Sequence, residues 1–130
     1  TDATYYTTMG KNQTDNQIEW RRRVGGPIVS VTYTFSTTGP TEWFCMGMTV
    51  DQSAPLMICY LYDSVGGWRE AGRSSSANLT SWVGNPPVEG TSVLYAGSLT
   101  LQEWIGSGQH NAIWEGRVLT PSEMQRAMTP

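Results

Sequence analysis

The hydrophobic pattern of this chain is clearest in residues 56–72, where an apolar run leads into a glycine turn. The run from Leu56 to Tyr62 is apolar at both alternating sets of positions, which predicts a buried strand of about seven residues. Gly66-Gly67 then offers the positive φ of a tight hairpin turn. The returning strand begins with Trp68 and carries Glu70 two residues later. The segment therefore predicts a hairpin whose second strand holds an aromatic residue and an acid.

Two further segments show clear strand patterns. From Pro27 to Phe35, apolar residues alternate with serine and threonine, which predicts a strand with one buried face. Phe44 to Val50 and Leu56 to Tyr62 lie on either side of a polar turn at 51–55, so they predict an antiparallel pair. Residues 42–62 are the most apolar part of the chain, and we expect them to hold most of its buried residues.

The aromatic hairpin recurs in looser form towards both ends of the chain. Its apolar anchors, Ile18, Trp68 and Ile113, are 50 and 45 residues apart. The additional strand pairs would be 3–7 with 16–20, and 101–105 with 111–115. This pattern predicts one all-β domain built of small antiparallel meanders, each about the size of a propeller blade. The approximate repeats span residues 1–40, 41–90 and 91–130.

Three such units are too few to close a propeller, whose smaller rings have about four blades. We therefore predict propeller-like blades that are completed by oligomerisation, most simply in a homodimer. The alternative is a closed β-sandwich or barrel, which would hide the strand edges without a partner.

One helix is predicted, at the C-terminal end of the sequence. Thr120, Pro121 and Glu123 stand at the N-cap, first and third helical positions of a capping box. Met124, Ala127 and Met128 then fall on one side, and the helix would span residues 121–128. A short amphipathic helix of this kind is expected to cover the end of a sheet.

Charge and hydropathy narrow the possible partners. Charged residues make up 15% of the chain, the formal charge is −3, and Lys11 is the single lysine, which argues against nucleic-acid binding. Arg21-Arg22-Arg23 is interpreted as a solvated strand edge. No run of 18 apolar residues and no signal-peptide pattern is present, so we predict a soluble protein without membrane insertion, its compartment left open.

The two cysteines, Cys45 and Cys59, would face each other if the strands at 44–50 and 56–62 paired across the turn at 51–55 in the register that places Met48 opposite Leu56. A directly opposed pair permits a disulfide but often strains it. Because free cysteine is a common small core residue, we favour two thiols and keep the disulfide as the alternative.

Catalytic and metal-binding patterns are poorly represented. His110 is the single histidine and stands in a predicted turn, without the partners of a catalytic triad. The sequence contains neither a CxxC motif nor an alternating aspartate loop of the calcium type. Pairs among Glu19, Glu70 and Glu115 would suit a glycosidase, but nearly equivalent repeats are a poor basis for one asymmetric site. We therefore predict a protein that is not an enzyme and needs no cofactor.

Aromatic residues point to a carbohydrate ligand. The chain has six Trp and six Tyr, and several Trp residues are next to glycine or turns. A sugar ring presents C–H groups on one face and hydroxyls at its rim, so an aromatic plate beside a carboxylate forms a minimal sugar site. The alternative is that the Trp residues are core residues and the acids face solvent. The candidate sugar-binding residues are Glu19, Trp20, Tyr62, Trp68, Glu70, Trp82, Trp104, Trp114 and Glu115.

These hairpins resemble the blades of the fungal and bacterial fucose-binding lectins of the Aleuria type. ICYLYDSVGGWRE at 58–70 is similar to the blade motif, Trp82 follows it, and TSVLYAG at 91–97 is similar to the strand that leads into the next blade. LQEWIGSGQHNAIWEG at 101–116 is a looser match. The resemblance implies a β-propeller lectin.

In that family, an arginine in the first strand and a glutamate after the turn hold the sugar, and neighbouring aromatic residues stack on it. The glutamate carries over to Glu70 and Glu115, and also to Glu19. The arginine has no counterpart here, because Cys59, Gln102 and Ala3 stand at its positions.

The sequence therefore predicts a multivalent carbohydrate-binding protein that recognises glycans. Two other interpretations stay open. One is a projecting β domain of a viral coat or fibre protein, and the other is a Trp-rich protein-interaction domain.

Overall fold

The computed structural model of this chain describes residues 5–12, 14, 16–24, 27–36, 43–76, 79 and 117–130. They form six strands and one helix: β1 (Tyr5–Lys11), β2 (Gln17–Val24), β3 (Val29–Thr34), β4 (Phe44–Asp51), β5 (Leu56–Asp63), β6 (Gly67–Ser74) and α1 (Pro121–Met128). The strands predicted at 101–105 and 111–115 lie outside the described residues, and so does most of the third predicted repeat.

The first sheet is the antiparallel meander β1-β2-β3. Trp20 of β2 lies between Met9 of β1 and Val31 of β3. In β3 the burial alternates along the strand, with Val29 buried and Ser30 exposed, as the sequence pattern predicts. The half-buried strand predicted between Pro27 and Phe35 is therefore confirmed.

The interpretation of Arg21-Arg22-Arg23 as a solvated strand edge is wrong for Arg22. Its side chain is fully buried, and its Nη1 donates a hydrogen bond to the Thr7 hydroxyl at 3.0 Å. Burial lowers the pKa of this guanidinium. Arg21 and Arg23 lie on the opposite face of β2 and are half-buried. Consecutive strand residues alternate between faces, so three arginines in a row cannot all face solvent when one face packs on a core.

The second sheet is the meander β4-β5-β6. The predicted hairpin between β4 and β5 is confirmed, but its register differs from the one that would place the two cysteines opposite each other. Cys45 pairs with Tyr62, and Cys59 pairs with Met48, so the two cysteines are not opposite each other. Both are free thiols, in agreement with the favoured prediction.

Asp51 accounts for the observed register. Its carboxylate accepts hydrogen bonds from the Ser53 N–H at 2.9 Å, the Ser53 hydroxyl at 2.7 Å and the Ala54 N–H at 3.3 Å. This capped turn makes Asp51 and Leu56 the last opposed pair of the hairpin. A polar side chain that caps the turn thus decides the pairing, which hydrophobic alternation alone does not specify.

A second aspartate organises the turn between β5 and β6. Asp63 accepts hydrogen bonds from the Val65 and Gly66 N–H groups at 3.0 and 2.5 Å, and from Nη2 of Arg69 at 2.8 Å. Gly67 follows with a φ of +69°, the left-handed conformation that the Gly-Gly pair predicts.

Arg69 also links the two sheets. Its Nη2 donates to the Tyr33 hydroxyl of β3 at 3.0 Å, and its guanidinium lies 5.3 Å from the centre of the Tyr33 ring. Burial alone would raise the pKa of Asp63, but the hydrogen bonds from Arg69 and from the turn N–H groups outweigh it and lower that pKa. The hairpin turn is thus tied to the neighbouring sheet.

The two sheets pack face to face around one apolar cluster. Buried side chains of the first sheet meet buried side chains of the second. The fully or nearly fully buried members are Ile18, Trp20, Val29, Met57, Cys59, Leu61 and Leu79. Gly72 of β6 allows close approach, because a Cβ at this position would be 2.7 Å from Cγ1 of Val31. The predicted all-β character is confirmed, and the described strands form two open sheets that do not close into a ring or barrel.

Helix α1 confirms the predicted capping box. The Thr120 hydroxyl accepts from the Glu123 N–H at 3.2 Å, and the Glu123 carboxylate accepts from the Thr120 N–H at 3.1 Å. Met124 and Met128 are buried, whereas Ala127 is exposed. The two methionines lie over Gly47, so the helix covers an outer face of the second sheet and not its end.

Candidate functional site

Trp68 and Glu70, the aromatic residue and the acid that the sequence predicted on one strand, lie together on the outer face of the second sheet, the face away from the first sheet. Trp68 is opposite Tyr62 of β5, and Glu70 is opposite Tyr60. Residues two apart on a strand share a face, so this pairing gathers three aromatic rings and one carboxylate on one side of the sheet. The other side of the same strands carries Cys59 and Leu61, which face the core between the sheets.

Tyr60 and Trp68 are stacked, with ring centres 5.4 Å apart and planes 18° from parallel. Tyr60 is 2% exposed, and burial is the main reason that its pKa is raised. Trp68 is half-buried, and its indole Nε1 is buried without a hydrogen-bond partner. Tyr60 therefore supports one face of the indole, and Trp68 as a whole is only partly buried.

Glu70 has a cationic neighbour that sequence reasoning missed. Nε of Arg73 donates to Oε1 of Glu70 at 2.9 Å, and Nη2 of Arg73 donates to the same oxygen. On a regular strand, residues three apart point to opposite faces. A β-bulge between Glu70 and Gly72 adds Ala71 to β6, and this extra residue brings Arg73 to the side of Glu70.

The ion pair is open to solvent. The Glu70 side chain is 38% exposed and the Arg73 side chain is 56% exposed. Both hydrogen bonds from Arg73 reach Oε1 of Glu70, so within the described residues Oε2 of Glu70 stays free to accept from a ligand. We define the candidate site as Tyr60, Tyr62, Trp68, Glu70 and Arg73.

Helix α1 borders the candidate site on the β4 side. Tyr60 belongs to the same buried cluster as Leu119, Met124 and Met128, and Trp68 packs against the edge of that cluster. The helix therefore covers the middle of the sheet, while the edge strand with Glu70 and Arg73 stays uncovered. The aromatic part of the site therefore packs against the same cluster as the helix, and its polar part is accessible to solvent.

The first predicted aromatic and acid pair does not form a site. Trp20 is fully buried in the core between the sheets, so its ring is not a surface plate for a ligand. Glu19 lies on the opposite face and forms an ion pair with Arg21 at 2.6 Å. The two residues are adjacent in sequence, and adjacent strand residues point to opposite faces.

The other predicted sugar-binding residues lie outside the described residues. They are Trp82, Trp104, Trp114 and Glu115, and the turn histidine His110 lies outside as well. Their contribution to a site stays a prediction.

The cysteine thiols are poorly suited to nucleophilic chemistry. Burial, with a smaller contribution from the charge of Glu70, raises the pKa of Cys59 to about 12. Burial also raises the pKa of Cys45. Both thiols are thus protonated near neutral pH, whereas a nucleophilic cysteine acts as its thiolate.

Among the described residues, no group of three or more His, Cys, Asp or Glu side chains is arranged to hold a metal ion. No helix within those residues is long and apolar enough to cross a membrane.

Comparison with protein-family models, with curated proteins and with solved structures finds no match for this chain. The resemblance to the Aleuria-type lectins therefore stays a hypothesis that depends on the motifs quoted above. Cys59 stands at the position of that family's arginine and faces the core, 0% exposed, so it does not contribute to the candidate site.

Proposed function

We propose that this protein is a carbohydrate-binding module whose ligand binds at the candidate site. The observation that carries this proposal is the placement of the half-buried Trp68 ring beside the exposed Glu70–Arg73 ion pair on one face of the sheet. An aromatic ring packs against the C–H face of a sugar, and a carboxylate accepts hydrogen bonds from its hydroxyls.

The ion pair suits a neutral, hydroxyl-rich ligand. Glu70 offers a free acceptor oxygen, and the guanidinium of Arg73 carries more N–H donors than the two that bind Glu70. Adjacent hydroxyls on one sugar ring both donate and accept, so they match this combination. Because the two charges compensate each other, the site has no net charge to attract a strongly ionic ligand.

The affinity of one such site is expected to be low. A few hydrogen bonds and one aromatic contact give dissociation constants on the order of micromolar to millimolar for small polar ligands. Several sites acting together would raise the effective affinity without new contacts. Multivalent glycans are therefore the appropriate first ligands to test.

A glycan array, followed by titration of the bound sugars while Trp fluorescence is recorded, tests the proposal. Trp68→Ala and Glu70→Ala are expected to weaken binding at least about tenfold, and Trp68→Phe should retain part of it because a ring is still present. Trp43→Ala is the matched control, since Trp43 is 60% exposed and precedes β4 outside the candidate site. Normal sugar binding by both Trp68→Ala and Glu70→Ala would refute the proposal.

One observation favours a second function, a protein-interaction domain. Trp43 is 60% exposed and Val65 is 92% exposed. Phe44 pairs with Asp63, so these two apolar side chains lie at the same end of the second sheet. Exposed aromatic residues are common at protein interfaces. A blank glycan array, together with a protein complex that Trp43→Ala disrupts and Trp68→Ala does not, would support this function instead.

A further inference from the structure

Strand β1 is an edge of the first sheet. Among the described strands, it pairs with β2 on one side only. The backbone N–H and C=O groups along the other side of an edge strand are a template for pairing with another strand.

The edges of the second sheet differ from β1. Strand β6 carries a β-bulge and the charged residues Arg69, Glu70 and Arg73, which are typical devices against edge pairing. Strand β4 contacts helix α1 through its outer face, where Met124 and Met128 lie over Gly47. In contrast, β1 pairs with β2 in an unbroken register from Tyr5 to Lys11, contains no proline, and has its one charged residue at its end.

The inward side of β1 is only partly covered, although β1 contacts β4 of the second sheet. Met9 is 49% exposed although it is opposite Trp20, which is fully buried. Thr7 is exposed although it is opposite the fully buried Arg22. An apolar side chain of β1, Met9, is therefore about half exposed to solvent at this edge of the first sheet.

The sequence of β1 is complementary to itself when two copies run antiparallel about Thr8. Thr8 would then be opposite Thr8 of the second copy, and no two like charges would meet. Gly10 would be opposite an aromatic residue, Tyr6, and the space above Gly10 is open, since a Cβ there would meet nothing within 4 Å. The two Met9 residues would be diagonal neighbours on one face, close enough for long side chains to touch.

We propose that β1 pairs with β1 of a second copy of this chain, about a two-fold axis at Thr8. The pairing joins the two first sheets into one six-stranded antiparallel sheet. Such an interface is isologous and closes at two copies, so it covers the β1 edges of both copies at once and leaves β3 at the two ends of the joined sheet. The dimer is independent of any ligand at the candidate site.

A carboxylate at position 8 is expected to weaken the dimer interface without destabilising the fold of the monomer. Thr8 is opposite Arg21 within the sheet, so Thr8→Glu adds a favourable cross-strand pair in each chain. Across the two-fold axis the same change places two negative charges directly opposite each other, which destabilises pairing. Ser30→Glu is the matched control, because Ser30 is opposite the same Arg21 on the β3 side, away from the edge of β1.

Sedimentation at about 10 to 200 micromolar is the primary test, with circular dichroism to show that each variant is folded. We expect a dimer for the wild type and for Ser30→Glu, and at least about tenfold weaker dimerisation for Thr8→Glu. A monomeric wild type would overturn the proposal, and it is also the result expected if another segment of the same chain covers β1. Equal dimerisation of the two glutamate variants would overturn it as well.

Cross-linking gives a second readout that does not depend on charge. In a background where Cys45 and Cys59 are replaced by serine, Thr8→Cys places two thiols at the two-fold axis. Oxidised glutathione is expected to convert this variant to a disulfide-linked dimer much faster than a Ser30→Cys control. Equal rates for the two variants would contradict the proposed register.

Discussion

At the scale of single residues, burial controls the chemistry of the two thiols. Cys59 is fully buried with its pKa raised to about 12, and Cys45 is half-buried with its pKa also raised. A thiol must be exposed and ionised before it can react, and for the fully buried Cys59 only local or global opening of the fold allows this.

We therefore expect slow labelling of the native protein by a thiol reagent at pH 8 and rapid labelling of two thiols in denaturant. The Cys45→Ser variant isolates Cys59, whose native labelling rate should fall to the rate of unfolding. Cys59→Ser isolates Cys45, which should react faster because it is less buried. Fast native labelling of Cys59 would show that the core between the sheets is open.

Asp63 makes the stability of the fold depend on pH in a defined direction. The pKa of this carboxyl is lowered in the folded state, so the folded protein holds the deprotonated form more strongly than the unfolded chain does. The stabilisation is present above the ordinary aspartate pKa, near 4, and is lost as the pH falls through the lowered folded value.

The Asp63→Asn variant is expected to be less stable by about 2 kcal/mol at pH 7, since it weakens the charged hydrogen bonds from Arg69 and the turn. Its stability should also fall less than that of the wild type between about pH 5 and pH 2. Urea unfolding across this range measures both effects. A variant that loses stability in acid as steeply as the wild type would contradict the role given to Asp63.

At the scale of elements, the distance between the sheets depends on a glycine. A Cβ at Gly72 would approach Cγ1 of Val31 to 2.7 Å, and valine has few alternative rotamers that would relieve the contact. At Gly47 the nearest atoms are the ends of Met128 and Met124, which are flexible and can move.

Gly72→Ala should therefore destabilise the fold by about 1 to 3 kcal/mol, the usual cost of overpacking. Gly10→Ala is the control, because a Cβ there meets nothing within 4 Å. Denaturant unfolding of the two variants compares them directly. A Gly72→Ala variant as stable as Gly10→Ala would show that the two sheets are further apart than the structure places them.

At the scale of the whole molecule, one apolar cluster holds both sheets together. Trp20 contributes the largest fully buried side chain and lies in the cluster with Met57 and Leu61 of the second sheet. Helix α1 adds a third layer through a separate cluster on the other side of the second sheet. Loss of the shared cluster should therefore unfold both sheets in one transition.

Trp20→Ala is expected to cost about 3 to 5 kcal/mol, because it removes a large core side chain and leaves a cavity. Trp43→Ala, at a position that is 60% exposed, should stay within about 0.5 kcal/mol of the wild type. Thermal unfolding followed by circular dichroism measures the difference. Similar stabilities for the two variants would place Trp20 on the surface, as the sugar-binding prediction assumed.

Local patterns in the sequence determined β3 to β6, the turn before β6 and the helix, whereas the first hairpin, predicted at 3–7 and 16–20, is formed by Tyr5–Lys11 and Gln17–Val24. Alternation in residues 29–35, the Gly66-Gly67 turn and the capping box at Thr120 each depend on neighbours within a few residues, so they can be recognised without the tertiary structure. The pairing of Trp68 with Glu70 on one face follows from the same two-residue period.

The tertiary structure decided what those elements face. Trp20 and Arg22 are buried because the second sheet covers their side of β2, and nothing in the local sequence distinguishes them from exposed strand residues. Arg73 joins Glu70 because of a β-bulge, which changes the face of every later residue in the strand. Burial and bulges depend on contacts between residues distant in sequence, and the period of a single strand does not contain that information.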